Sequence, residues 1–500
     1  MKRSRHTRKQ PFAHFLLLCA LVLSIGIAGC DFTDPTEVDN PSTTDDDLAN
    51  APEPVNALLP GLRKQFASAL SAIIVTAEFG SDNFSINGTG LGDNDFDFPR
   101  IVSPNTRNIN STADGTAPYW NLQELRALCD FVLDDIGPGD ATATNEALAE
   151  ARYYRGMAYL MQGENFVALP TQPDESPVPA GQLLDRARAD FEQARQLGSG
   201  SDFALYATAA LARTHRALGN ASEAAQFANE ALAAGGNDFL FLQEFDENST
   251  DNEPHTFLVE RSLQEMQPLP RLDFLDPKYI DDEQGIAVAK GEEMMLILAE
   301  VDLANGDFAG ARQQMTAVVN LAANRPRDSF DDGDPRLDNA LNIRPRSAAI
   351  MIRDDADSPF RAGLVLERPG VVTTPMISAT SVTVDDVNNT ADGAALIRLF
   401  YLLRQEVLFL EGRRMHDLGI RYPMMLREID TNPNINTGDF GTQVIVPDYI
   451  PASNEMDLYN PLVLYDADEN LIATEVTILH DMNKILAEQR GLVVNNPLLP

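Results

Sequence analysis

Leu211-Ala212-Arg213-Thr214-His215-Arg216-Ala217-Leu218-Gly219-Asn220-Ala221-Ser222-Glu223-Ala224-Ala225-Gln226-Phe227-Ala228-Asn229-Glu230-Ala231 is the stretch whose reading decides the fold. Leu211, Ala212, Gly219, Ala224 and Ala231 place apolar and small residues on two helical runs broken at the glycine. Small side chains at these positions let paired helices approach closely. Leu298, Ala299, Gly306 and Ala311 repeat the same spacing, with Val318 where the last alanine falls.

These offsets are those of the tetratricopeptide unit of about 34 residues. A third unit is split. Gly156, Tyr159 and Gly163 fit its first helix, and Ala187, Phe191 and Ala194 fit the second, past a Pro-rich insertion at 170–179. Units are therefore expected near 145–197, 203–235 and 290–322. A repeat of this kind predicts helical pairs and leaves function open.

Outward from the repeat, helical periodicity recurs at 55–79, 119–136 and 145–162. Residues 80–118 are rich in Gly, Asn, Asp, Ser and Thr and read as a long loop; 325–395 reads as a second one. Short strand-like patches at 363–366, 371–372, 381–384 and 443–446 suggest hairpins within loops. The expected fold class is all-α: a tetratricopeptide-like helix-pair superhelix with long loops and a few short β-hairpins.

The N-terminus carries a different signal. Lys2, Arg3, Arg5, Arg8 and Lys9 precede an apolar run from Phe12 to Ala28, which ends in Ile27-Ala28-Gly29-Cys30. A basic start, a short apolar core and small residues before a cleavage point describe a secretory signal peptide over 1–29. The last four residues look like a lipobox, with Cys30 the lipidation site. Residues 30–52 hold six Asp together with Pro35, Pro41 and Pro52. They read as an acidic flexible tether, with a span of roughly 25 Å, between lipid and a helical body at 53–500. The expected location is the outer membrane, held by lipid alone and exposed at the cell surface.

Five of the 38 basic residues lie in the signal, so its removal takes the formal charge from −37 to −42. A body this acidic repels nucleic acid and anionic lipid surfaces. With Cys19 removed and Cys30 acylated, Cys129 is the single thiol left, so no internal disulfide can form. It falls in an apolar helical pattern with Leu125, Leu128, Val132 and Leu133, which marks it as core. His215, His255, His416 and His480 show no metal-ligand spacing, and no GxSxG, phosphate loop or paired CxxC is present. No catalytic residue, metal or cofactor is expected.

Four segments carry a family resemblance. Ala149-Glu150-Ala151-Arg152-Tyr153-Tyr154-Arg155-Gly156-Met157-Ala158-Tyr159-Leu160, loosely followed by Val167-Ala168-Leu169-Pro170, is one. Tyr119-Trp120 with Leu125, Cys129 and Asp130 is another. Arg404, Leu408, Glu411-Gly412, Arg414 and Asp417-Leu418 form the third, and Tyr449-Ile450-Pro451-Ala452 with Glu455 the fourth. In this order they resemble the SusD/RagB family of nutrient-uptake lipoproteins. Leu403 and Val407 stand where that pattern usually has Glu, which implies a thinned ion-pair network.

The resemblance implies a non-catalytic, cell-surface lipoprotein that captures oligosaccharides or other small nutrients for a SusC-like, TonB-dependent outer-membrane transporter. A tetratricopeptide scaffold in envelope assembly is the rival reading. Glu411, Arg414 and Asp417, three residues apart in turn, can share one helix face and read as a structural network. Trp120, Arg152, Arg404 and Gly412 are taken as signature residues of the same kind, with Trp120 a core anchor. Sugar binding needs aromatic faces beside hydrogen-bonding side chains, and the 80–100 loop offers Asp82, Asn83, Phe84, Asn94, Asp95, Phe96 and Arg100. The single Trp and 11 Tyr are sparse for a sugar binder and tilt the expected ligand towards an atypical glycan, a peptide or another small nutrient.

Overall fold

The computed structural model describes residues 51–85, 96–112, 117–246, 248–258, 267–333, 344–452 and 456–500. The signal, Cys30 and most of the tether lie outside the described residues, as do Asn94, Asp95 and Glu455.

Eight helices follow one another in space as they do in sequence. They are α1 (Pro54–Phe79), α2 (Pro118–Asp130), α3 (Asn145–Asn165), α4 (Ala180–Leu197), α5 (Asp202–Leu218), α6 (Ala221–Gly235), α7 (Gly291–Ala304) and α8 (Phe308–Asn324). Each packs on the next. This nearest-neighbour order is what stacked helical pairs produce, because each unit can bury its apolar face only against its sequence neighbours.

Local chemistry sets the helix ends. Thr144 accepts the Ala147 N–H at 3.1 Å to start α3, and Asp307 accepts the Gly310 N–H at 2.9 Å to start α8. Gly219, at φ 78°, ends α5 in the left-handed region, where its N–H reaches the carbonyls of the last turn. The small residues of the repeat lie at the helix contacts: Leu211, Ala212, Ala224, Ala231, Ala311 and Val318 are all fully buried. α3 and α4 pack tightly at Gly156, where an added Cβ would stand 2.6 Å from the Phe191 ring.

Helix α2 begins with Pro118 at its first turn and runs on as a π-helical turn over Phe131–Ile136. Cys129 within it is fully buried, and burial pushes its thiol well above the usual range, which suits a core residue and not a nucleophile. No helix among the described residues is long and apolar enough to cross a membrane.

After α8 the chain becomes irregular. Strand Arg327–Asp332 pairs antiparallel with Gly370–Pro375, and Glu475–Ile478 lies between Met351–Arg353 (parallel) and Tyr459–Asn460 (antiparallel). Of the strand-like patches read from sequence, 371–372 lies in Gly370–Pro375, and Ile445 makes a single bridge to Arg421. Residues 363–366 and 381–383 form no strand, and Val384 opens a helical turn at Val384–Asn389. Leu240–Gln243 pairs with Ile286–Lys290, and Ala168–Leu169 pairs with Val178–Pro179 across the Pro-rich insertion. Two further helices, α9 (Ala394–Val407) and α10 (Arg414–Leu418), lie beyond this region. α9 packs on α7 and α8, and one continuous core runs from Val55 to Val494.

Candidate functional site

The signature around α9 and α10 builds a buried electrostatic frame. Arg404 Nε donates to Asp417 Oδ2 at 2.7 Å, and Arg216 Nη2 donates to Asp417 Oδ1 at 2.8 Å. The two guanidiniums beside Asp417 hold its carboxyl far below the usual carboxylate range. Glu411 accepts from the ammonium groups of Lys278 and Lys290, each at 2.6 Å. Gly412, at φ 70°, gives its N–H to Glu78 Oε1 at 2.9 Å. Arg152 and Arg155 on α3 both reach Asp190 on α4, which pins the repeat's first pair.

These groups are structural, but not on a shared helix face. α9 ends at Val407 and α10 starts at Arg414, so Glu411 sits in the turn between them and engages different partners from Arg414. Nor is the network thin where Leu403 and Val407 replace Glu. Both are fully buried apolar contacts, while Gln405 bonds Asn83 at 2.7 Å and Glu406 accepts from Ser381 and Thr380.

The described ends of the 80–100 segment, residues 80–85 and 96–100, are drawn into the body, which corrects the expected role of Asp82, Asn83, Phe84 and Phe96. Asp82 is bound by Arg414, Asn83 by Gln405 and Glu78, and Phe84 stacks on Phe409 with ring centroids 5.3 Å apart. Phe96 is fully buried against Tyr422. Arg100 donates to the carbonyls of Pro447 and Ile450 at 3.1 and 2.7 Å. Asp82, Asn83, Phe84 and Phe96 are thus closed to a ligand from solvent, because their polar or aromatic faces are already taken. Asn94 and Asp95 lie outside the described residues.

A surface cleft of about 300 Å³ lies elsewhere, where three distant segments converge. The first turns of α2 supply Tyr119, Trp120, Gln123 and Arg126. The turn at 170–174 supplies Pro170, Gln172, Pro173 and Asp174. A short helix, α11 (Leu426–Thr431), and its flanks supply Met425, Arg427, Glu428, Thr431 and Asn432. Trp120 packs part of its ring on the core and lines the cleft with the rest.

The cleft walls are fastened to one another. Tyr119 donates its hydroxyl to Glu428 Oε2 at 3.0 Å, and burial beside that carboxylate raises the phenol well above its usual range. Gln123 Nε2 donates to the Pro170 carbonyl at 2.9 Å, and Asn432 Nδ2 to the Glu175 carbonyl at 2.9 Å. Arg126 is oriented by Gln123 Oε1 at 3.0 Å and by Asp130 at 2.5 Å. The result is a partly buried indole beside convergent amide, carboxylate and guanidinium groups, a combination that small-molecule sites use to fix a ligand's orientation. Sequence reading treated Trp120 as a core anchor and missed Asp174, Arg427 and Asn432, which only the fold brings beside it. The single signal available was an aromatic pair opening a helix directly after a long loop.

Further clefts lie among the described residues. One of about 500 Å³ lies between α1 and strand Leu240–Gln243, lined by Arg63, Lys64, Tyr154 and Phe241. One of about 280 Å³ is lined by Asp355, Arg398 and Lys484. No group of His, Cys, Asp and Glu that could hold a metal occurs among the described residues.

No protein-family model and no curated protein matches the chain. Solved structures do. A SusD superfamily protein from Parabacteroides distasonis matches with a TM-score of 0.50 at 12% identity, over 77% of this chain and 99% of that one. A protein from Bacteroides vulgatus, described as a proposed sugar binding protein, matches with a TM-score of 0.51 at 15% identity, over 77% of this chain and 98% of that one. The chain has a SusD-like fold.

Proposed function

We propose that this chain, given its SusD-like fold, is a non-catalytic glycan-capturing protein whose ligand seats in the Trp120 cleft. The observation that carries the reading is the partly exposed indole with Gln123, Arg126, Glu428 and Asn432 around it. A pyranose ring presents an apolar C–H face to stack on an aromatic plane and a rim of hydroxyls for amide, carboxylate and guanidinium partners. A volume of about 300 Å³ is at the small end of ligand pockets, roughly 300–1,000 Å³. That suits one or two sugar rings of a longer chain lying across the opening. Similarity in fold to a proposed sugar binding protein supports the same class of ligand.

In this reading the chain is lipidated at Cys30, faces outward from the outer membrane and passes ligand to a SusC-like, TonB-dependent transporter. The lipobox-like Ile27-Ala28-Gly29-Cys30 and the acidic 30–52 segment support this part.

Affinity electrophoresis of the purified protein through gels containing a panel of plant, algal and microbial polysaccharides tests the ligand. Retardation by at least one polysaccharide, lost in Trp120→Ala, is expected. Retardation that survives Trp120→Ala moves the site elsewhere, and a panel without any retardation sinks the glycan reading. Co-purification of a tagged copy retaining Cys30 from mild detergent tests the partner. A large β-barrel is expected, and recovery of assembly factors instead favours the scaffold reading.

A further inference from the structure

The donors that line the Trp120 cleft are unequally engaged. Gln123 gives its amide to the Pro170 carbonyl, and Gln172 gives its amide to Asp130 Oδ2 at 3.3 Å. Asn432 donates to the Glu175 carbonyl and to Glu428 Oε1, at 2.9 and 3.1 Å. The Thr431 hydroxyl donates to the Arg427 carbonyl at 2.8 Å. Arg126 spends Nε on Gln123 and Nη1 on Asp130. Arg427 is the exception: its side chain is exposed and makes no hydrogen bond or ion pair among the described residues.

An exposed arginine is satisfied by water, so its openness alone decides nothing. Its setting does. The other arginines that line the clefts are each tied to an acid, Arg63 to Glu150, Arg126 to Asp130 and Arg398 to Asp354 and Asp481. The backbone that carries Arg427 is fixed, since Leu426 N–H donates to the Pro104 carbonyl at 2.9 Å and Arg427 N–H to Asn110 Oδ1 at 3.0 Å. The two acids of the cleft divide in the same way. Glu428 accepts from Tyr119 on one oxygen and from Asn432 on the other. Asp174 sits in a left-handed turn at φ 59°, its carbonyl held by Asn434 Nδ2 at 2.5 Å, and its carboxylate makes no bond among the described residues.

We propose that the Trp120 cleft selects a uronic-acid residue, with the sugar carboxylate in the fork of Arg427; this rests on the glycan reading above. A guanidinium offers five N–H donors and no acceptor, in a planar fork that matches a carboxylate. The C–H face of the same ring stacks on Trp120, and its hydroxyls find an open acceptor in Asp174. The charged lining is two cations, Arg126 and Arg427, against two carboxylates, Asp174 and Glu428, so a single ligand carboxylate meets no net repulsion there. The chain as a whole carries −37 and repels a dense polyanion. The ligand is therefore a largely neutral glycan bearing spaced uronates.

Affinity electrophoresis through glucuronoxylan, gum arabic and xanthan, each beside its carbodiimide-activated, borohydride-reduced neutral form, tests this. Neutral polysaccharides and dextran sulfate complete the series. At least one uronate polymer is expected to retard the protein with a Kd about tenfold lower than its reduced form, the weight of one charged hydrogen-bonding pair. Arg427→Ala should level the two forms, Arg427→Lys should restore part of the preference, and Trp120→Ala should abolish retardation by both. Equal retardation by native and reduced forms, lost in Trp120→Ala, overturns the uronate assignment and leaves the glycan reading standing. Retardation by neutral polysaccharides alone does the same, as does a uronate preference that survives Arg427→Ala. Dextran sulfate acting as strongly as the uronate polymers also overturns it, because the cleft then answers to charge and not to carboxylate. No retardation by any polysaccharide, acidic or neutral, fails both readings together.

Discussion

Arg414 grips Asp82 with both prongs of its guanidinium, Nε to Oδ1 at 2.6 Å and Nη2 to Oδ2 at 2.8 Å, across 332 positions of sequence. Both side chains are at most 2% exposed. The bond ties the start of the long N-terminal loop to the C-terminal signature, and it removes Asp82 from any surface role.

Asp82→Ala is therefore expected to destabilise the fold by about 3–5 kcal/mol, because it strands a buried guanidinium. Urea denaturation of Asp82→Ala, Arg414→Met and the double variant checks it, with the double variant markedly better than the sum of the singles. A normal unfolding midpoint for Asp82→Ala combined with weakened ligand binding would return Asp82 to the ligand site.

Trp120→Ala is expected to cost tenfold or more in affinity for any retained glycan, about 1.4 kcal/mol or above. Gln123→Ala and Asn432→Ala should cost less, since each already spends an amide N–H on a main-chain carbonyl and has fewer donors left for a ligand. Isothermal titration of the three variants ranks them, and an unchanged Kd for Trp120→Ala is the outcome that abandons this cleft.

Gly156→Ala tests the closeness of the first repeat pair. The new methyl would meet the Phe191 ring at 2.6 Å, and overpacking of this kind costs about 1–3 kcal/mol. Phe191→Leu on the same background should recover part of the loss, read as a shift in thermal midpoint. A midpoint equal to that of the parent would mean the helices do not meet there.

The turn before α10 predicts an unusual pH profile. Burial raises Glu78 from its ordinary 4.5 to about 7, and burial lowers Lys278 from 10.5 to about 8. Between pH 4.5 and 7 the folded state holds the Glu78 proton that the unfolded chain has released, so this contribution to stability falls as pH rises. Between pH 8 and 10.5 the unfolded chain binds the extra proton at Lys278, so its contribution rises with pH. Glu293 runs the other way from Glu78. Held down to about 2 by Arg413 despite its burial, it contributes stability that is lost as pH falls from 4.5 towards 2. Denaturation of Glu78→Gln across pH 4.5–7 should show a weaker decline than the parent, and identical slopes would refute the assignment.

Much of the fold was legible because its determinants are local. The spacing of Leu211, Ala212, Gly219, Ala224 and Ala231 repeats every turn or two, and each small residue reports the helix beside it. The periodicities at 55–79, 119–136 and 145–162 likewise correspond to α1, to α2 with its π turn, and to α3. The ribbon Arg327–Asp332 with Gly370–Pro375 was less visible, since pairing partners far apart leave no turn signature between them.

The sequence by itself determined the helical pairs, the charge balance, the placement of Cys129 in the core and the structural character of Glu411, Arg414 and Asp417. Only the tertiary structure decided which polar residues face water. Asp82, Asn83 and Phe84 look like ligand residues in a polar loop, yet Arg414, Gln405 and Phe409 claim them from more than 300 positions away. Trp120 looks like a core residue, yet the 170–174 turn and α11 form a cleft against it. Helical periodicity is written by neighbours three and four residues apart, whereas burial of a polar group depends on a partner whose distance along the chain leaves no local trace.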